Sequence, residues 1–204
     1  MSGRLRLALL VAVLSACAAV GLVVATQRRL TAAGPLGASI PGLAGAVRPP
    51  GLPVVDFRLR DQDGRQVTAA DSRGRVTMVT FLYTTCRDTC PITARQIAAA
   101  MSELGHPVPT LAVSVDPAHD TPELARRFVA RAGLTGRMRF LLGSASELQP
   151  VWRAFGVAPE RRGAEHTAAL VLLDRRGRQR IGFGIDGLTA AGIAHDVRAL
   201  ELAG

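Results

Sequence analysis

The chain has 204 residues, 48% of them hydrophobic, which suffices for one domain with a sizeable core plus an appendage. Aromatic residues make up only 4%, so the core has to be built mainly from aliphatic side chains. The net charge of +9 would suit nucleic acid, but the basic residues, all arginine, are scattered singly or in pairs; from residue 51 onward 20 arginines face 16 acids, and no nucleic-acid partner is expected.

Residues 7–26 carry no charge. About 20 apolar residues span a bilayer's hydrocarbon core, so residues 1–29 read as a transmembrane anchor. Arg4 and Arg6 precede the stretch and favour a cytoplasmic N-terminus with the remainder exported, while Arg28 and Arg29 behind it blunt that bias. Leu14-Ser15-Ala16-Cys17 also resembles a bacterial lipobox, with Cys17 as the lipidated residue. Both readings tether the protein to the cell membrane with its domain on the exported, periplasmic or extracytoplasmic, side. Residues 30–50 contain Gly34-Pro35, Pro41-Gly42 and Pro49-Pro50 and read as a flexible linker, leaving residues 51–204 as the folded domain.

Within that domain Asp56-Phe57-Arg58-Leu59-Arg60 alternates in polarity and runs into a turn at 61–64, which predicts an N-terminal hairpin. The apolar, β-like run Val76–Tyr83 makes residues 75–83 a predicted buried central strand. Pro91 suits the first turn of a helix reaching about Leu104. Residues 110–115 predict a second buried strand. Thr121-Pro122-Glu123 opens a helix with a capping hydroxyl, a proline in the first turn and an acid at the positive end of the dipole. A third strand is expected at 139–142, and Ser144 with Glu147 has capping-box spacing for a helix to about Phe155. A strand at 168–173, a turn at 174–177, a strand at 178–185 and a helix over roughly 188–202 complete the chain. Strands alternating with helices indicate an α/β sandwich. A cysteine pair at a strand-to-helix junction points to its thioredoxin-like form, here with an N-terminal β-hairpin extension.

The cysteines carry the chemistry. Cys86 and Cys90 are separated by three residues and followed at once by Pro91; the third cysteine, Cys17, lies in the N-terminal stretch. A helix N-terminus favours thiolate, and Arg87 acts in the same sense while Asp88 opposes it. Two sulfurs so placed can form a disulfide, attack one, or hold a soft metal such as Cu(I) or zinc. Among the four histidines, His195 falls on the last helix and reads as a surface residue, and His106 sits in a Gly-His-Pro turn. His119 lies in a polar loop at the carboxyl end of a strand, where α/β sheets form sites. His166 immediately precedes the strand at 168–173; in a thioredoxin-like fold that loop lies beside the cysteine motif.

Five segments resemble the Sco/SenC family of copper chaperones. They are the run from Phe81 through Cys86-Arg87-Asp88-Thr89-Cys90-Pro91, then Ser114-Val115-Asp116-Pro117-Ala118-His119-Asp120-Thr121-Pro122-Glu123, Phe140-Leu141-Leu142-Gly143, Glu165-His166-Thr167-Ala168 and Leu172-Leu173-Asp174-Arg175-Arg176-Gly177. Their order and spacing match that family across about residues 52–203. The resemblance implies copper bound by Cys86, Cys90 and His166, a membrane tether, and assistance in building the dinuclear copper centre of cytochrome c oxidase. It implies subunit II of that oxidase as partner, with another copper chaperone or a thiol reductant upstream. Arg87 departs from the proline that often follows the first cysteine. A thiol–disulfide oxidoreductase, in which Cys86 and Cys90 are the redox pair and His166 is dispensable, is the alternative from the enzyme class; a thiol peroxidase and a redox or copper sensor also fit the pair.

Overall fold

The computed structural model describes residues 42–53, 56–159 and 169–203, together with the backbone of residues 38–39. The expected anchor at 1–29, Cys17, most of the linker's first half and His166 lie outside the described residues. In chain order the strands are β1 (Ala38–Ser39), β2 (Ala46–Val47), β3 (Arg58–Arg60), β4 (Gln66–Thr68) and β5 (Thr77–Leu82), followed by helix α1 (Thr89–Leu104). Then come β6 (Thr110–Ser114), α2 (Pro122–Arg131), β7 (Met138–Leu141), α3 (Ala145–Phe155), β8 (Ala169–Leu173), β9 (Gln179–Gly184) and α4 (Ala190–Ala203).

One sheet of order β1-β2-β9-β8-β5-β6-β7 organises the fold, and β3–β4 forms a separate hairpin. Every residue of β5 is buried, as a central strand covered on both faces requires. It runs parallel to β6, with Leu82 opposite Ser114, and antiparallel to β8, with Thr80 opposite Leu170. Alternation along β5 divides the core. Met78 and Leu82 pack with Ile97 and Met101 of α1, Phe128 of α2 and Val197 of α4. Val79 and Phe81 pack on the other face with Val151, Trp152 and Phe155 of α3, joined by Leu59 and Val67 of the hairpin. Burying each such side chain contributes roughly 1.5–3 kcal/mol, so the two layers, mostly aliphatic with a few aromatic rings, supply much of the stability.

Local signals set the helix bounds. Thr121 Oγ1 accepts from Leu124 N at 3.2 Å ahead of Pro122, and both halves of the Ser144–Glu147 capping box are formed. Gly105, at φ 75°, ends α1 in the left-handed conformation that costs glycine least. The expected mixed α/β sandwich with its N-terminal hairpin is therefore observed.

The described part of the expected linker is different from a free tether. Residues 46–47 pair with β9, Ala46 opposite Gly182, and β1 adds outside them. Asp196 of α4, wholly buried, holds this strap: its carboxylate accepts from Ala44 N at 3.0 Å, Gly45 N at 2.8 Å and the His195 ring at 2.8 Å. Gly45 has no room for a side chain, because a Cβ there would stand 2.5 Å from Ile181 and 2.9 Å from the Gly182 carbonyl. The folded unit thus starts before residue 51. Among the described residues no helix is long and apolar enough to cross a membrane.

Candidate metal-binding thiol site

β5 and β6 run parallel and deliver their carboxyl ends to one edge of the sheet, where open α/β sheets form sites. From that edge the chain leaves Leu82, passes through the cysteine loop and enters α1 at Thr89. The loop is pinned from the neighbouring strand. Asp120, on the loop after β6, accepts from Thr84 N at 2.7 Å and Thr84 Oγ1 at 2.6 Å through one oxygen, and from Ser114 Oγ at 2.5 Å through the other. Burial raises the Asp120 carboxyl above its ordinary value; the hydrogen bonds from Ser114 and Thr84 oppose this, and Asp116 adds to it. Asp120, a residue of the second family-like segment, thereby fixes the base of the cysteine loop.

Asp88, the residue before α1, makes no side-chain cap. A sulfur takes that place: Cys90 N donates to Cys86 Sγ at 3.3 Å, and Thr89 Oγ1 stands 3.6 Å from the same atom. The first amides of a helix need acceptors, and here one finds a thiol four residues back. Both cysteines are free thiols.

Their environments differ. Cys86 is 9% exposed and Cys90 fully buried. For Cys86, burial favours the neutral thiol, but hydrogen bonds from the Cys90 thiol and amide, the Asp88 amide and the Thr89 hydroxyl outweigh it, and the net shift is downward. For Cys90, burial is the largest cause of a strong upward shift, and its hydrogen bond to Cys86 adds to it. Below its lowered folded value Cys86 is protonated and loses nucleophilicity; above it, it is thiolate. In the full chain carrying Cys17→Ala, iodoacetamide should therefore modify Cys86 first, with a midpoint lowered from that of an ordinary thiol. Cys90 should react only on unfolding. Peptide mapping of the alkylated protein checks this, and Cys90 labelled first would contradict it.

A groove of about 510 Å³ opens beside Cys86, lined also by Thr84, Arg87, Pro91, Arg95, Phe128 and Arg131. An enclosed apolar pocket elsewhere, around Val79, Leu111, Val151 and Phe155, has no thiol, histidine or carboxylate and belongs to the core under α3.

The three described histidines all face carboxylates. His119, exposed, lies 2.9 Å from Asp116; His106 is 3.5 Å from Glu201; His195 contacts Asp196. Among the described residues no group of three or more His, Cys, Asp or Glu is arranged to hold a metal ion. The structure thus brings together Cys86 and Cys90, and the third expected ligand, His166, falls outside the described residues. Two thiols linked by a hydrogen bond, one readily ionised and one shielded, are able to exchange with a disulfide or to hold a soft cation.

The sequence model of the SCO1/SenC family matches residues 48–200, which covers both sheet faces and the cysteine loop. The chain belongs to the SCO1/SenC family. Relatives include Protein SenC of Rhodobacter capsulatus, 32% identical over 102 residues, or 48% of this chain and 45% of that protein. The mitochondrial SCO2 homologue of Bos taurus is 33% identical over 107 residues, 50% of this chain and 40% of that one. The matched segment thus spans less than half the length of these two curated relatives. The structure of Bradyrhizobium japonicum ScoI with copper bound superimposes with a TM-score of 0.58 at 28% identity, covering 72% of this chain and 98% of that one. The α/β sandwich described above is accordingly shared with a solved SCO1/SenC-type structure.

Proposed function

We propose that this SCO1/SenC chain is a membrane-tethered copper metallochaperone. It binds copper through Cys86, Cys90 and His166 and assists assembly of the dinuclear copper centre of cytochrome c oxidase, with subunit II as recipient. The observation that carries this reading is the thiol pair at the start of α1, Cys90 N to Cys86 Sγ at 3.3 Å, in a chain whose relative ScoI is known with copper bound. Thiolates are soft ligands that select Cu(I) over harder cations, and an imidazole completes a low-coordinate site. His166 is supported as the third ligand by the topology of β8. Thr80 pairs with Leu170, so β8 enters the sheet at the end where the cysteine loop leaves β5. Three residues of chain, at most roughly 10 Å, separate Ala169 from His166. The charge-free stretch at 7–26 supports a tether to the cell membrane with the domain on the exported side.

Anaerobic Cu(I) titration of the full chain carrying Cys17→Ala, against a competing chelator, tests the reading. Tight binding of about one copper per chain, weakened at least tenfold by His166→Ala, is the expected result for a site that loses one of its ligands. Weak binding indifferent to His166 would leave the second reading, a thiol–disulfide oxidoreductase that reduces the cysteines of an exported copper protein. The asymmetry of the pair favours that second activity in its own right: Cys86, at the rim of the groove, attacks, and buried Cys90 resolves.

A further inference from the structure

The groove beside Cys86 has a charge character that copper binding does not call for. Its lining carries Arg87, Arg95 and Arg131 and no carboxylate. Among the described residues none of these guanidiniums has an ion-pair or hydrogen-bond partner, whereas Arg127, Arg139, Arg178 and Arg180 each meet a carboxylate elsewhere in the fold. Arg87 comes from the cysteine loop, Arg95 from α1 and Arg131 from the last turn of α2, so packing of three separate segments brings them to one place. Phe128, Ala132 and Pro91 give the groove an apolar side. Cys86 supplies the thiol of the described lining.

Guanidiniums that no carboxylate holds in an ion pair raise the local concentration of anions, and their planar forks match carboxylates. A volume of about 510 Å³, bounded by α1 on one side and α2 on the other, suits a ligand of two or three residues in size. We propose that this groove is a binding site for a low-molecular-weight thiol or disulfide bearing carboxylates, which it aligns for exchange with Cys86.

The exchange balances as follows. Cys86 thiolate attacks one sulfur of the disulfide RSSR, forming the Cys86–S–S–R bond and releasing one RS⁻. Cys90, losing its proton to solvent, then attacks the Cys86 sulfur, releases the second RS⁻ and closes the Cys86–Cys90 disulfide. The dithiol is oxidised by two electrons and RSSR is reduced to two thiols; run in reverse, the anionic thiol re-reduces the protein. The step uses the metal-free dithiol and does not depend on whether His166 is a copper ligand.

Stopped-flow rates of the reduced, metal-free full chain (Cys17→Ala) with two aromatic disulfides test the proposal. Dithiobis(nitrobenzoate) carries two carboxylates and dithiodipyridine carries none. The double variant Arg95→Gln/Arg131→Gln should slow the anionic reagent about fivefold, the sum of two exposed ion pairs, while the neutral reagent changes little. Added salt should erode the wild-type preference in the same direction. Arg75→Gln/Arg176→Gln, which removes the same charge at the opposite end of the sheet, should leave both rates alone. A groove variant that slows both reagents alike, or a distant variant with the same selective loss, would overturn the proposal. Neither result bears on the copper titration, so the two readings fail separately.

Discussion

Cys90→Ser should lower the Cu(I) affinity of the full chain by more than about 100-fold, since even outer-shell changes at metal sites cost 10–100-fold. A serine hydroxyl is close in size to the thiol, so the fully buried position tolerates it, but a hard neutral oxygen is a poor ligand for Cu(I). The Cys90 amide still donates to Cys86 Sγ in the variant, because that contact uses the backbone. Alkylation of Cys86 therefore serves as an internal check that the loop is intact. Retained affinity in a protein whose Cys86 remains reactive would remove the thiol pair from the metal site. The pH dependence has a definite sign. Burial holds the Cys90 proton well above neutrality, so copper must displace it, and apparent affinity should climb as pH rises through neutrality.

Asp196→Ala should destabilise the fold by about 3 kcal/mol, since it strands the buried Gly45 amide and the half-buried Ala44 amide and each unsatisfied buried donor costs about 1–3 kcal/mol. The carboxylate accepts from Ala44 and Gly45, some 150 residues earlier in the chain, as well as from His195. For a chain of this size the midpoint of thermal unfolding should fall by roughly 6–12 °C. Asp196→Asn keeps one accepting oxygen and should lose less. Limited proteolysis provides a second reading, with cleavage appearing at residues 42–50 in the alanine variant before the core opens. A shift within about 0.5 kcal/mol, the range of ordinary surface substitutions, would mean that the strap contributes nothing.

The α/β layout was legible because its signals are local. Thr121-Pro122, the Ser144–Glu147 box and Gly105 are start and stop marks that act within one helical turn, and the apolar run of β5 is long enough to specify a strand covered on both faces. The thiol pair was legible for the same reason, four residues apart at one junction. The strap was not. β1 and β2 are two residues each, too short to show any periodicity, and glycine and proline around them are the marks of a linker. What orders them is a carboxylate on α4 and the close approach of Gly45 to Ile181, neither visible near residue 45. Nor were Arg95 and Arg131 separable from the other arginines. They are 36 positions apart, and only the packing of α1 and α2 puts both beside Cys86. Asp120 was in view as a polar residue of a motif, but its hold on Thr84 depends on β5 and β6 being neighbours.

The strap also sets a leash. With a tether counted from residue 30 to residue 50, as composition suggested, a membrane anchor ending at 29 would let the domain drift as far as roughly 70 Å on fully extended chain. The sheet instead claims Ala38–Ser39 and Ala46–Val47, so those parts of the stretch cannot serve as free tether. A proposed tether ending at residue 29 would then be shorter than composition suggests, and a cysteine face held on it would reach a recipient by pivoting more than by travelling.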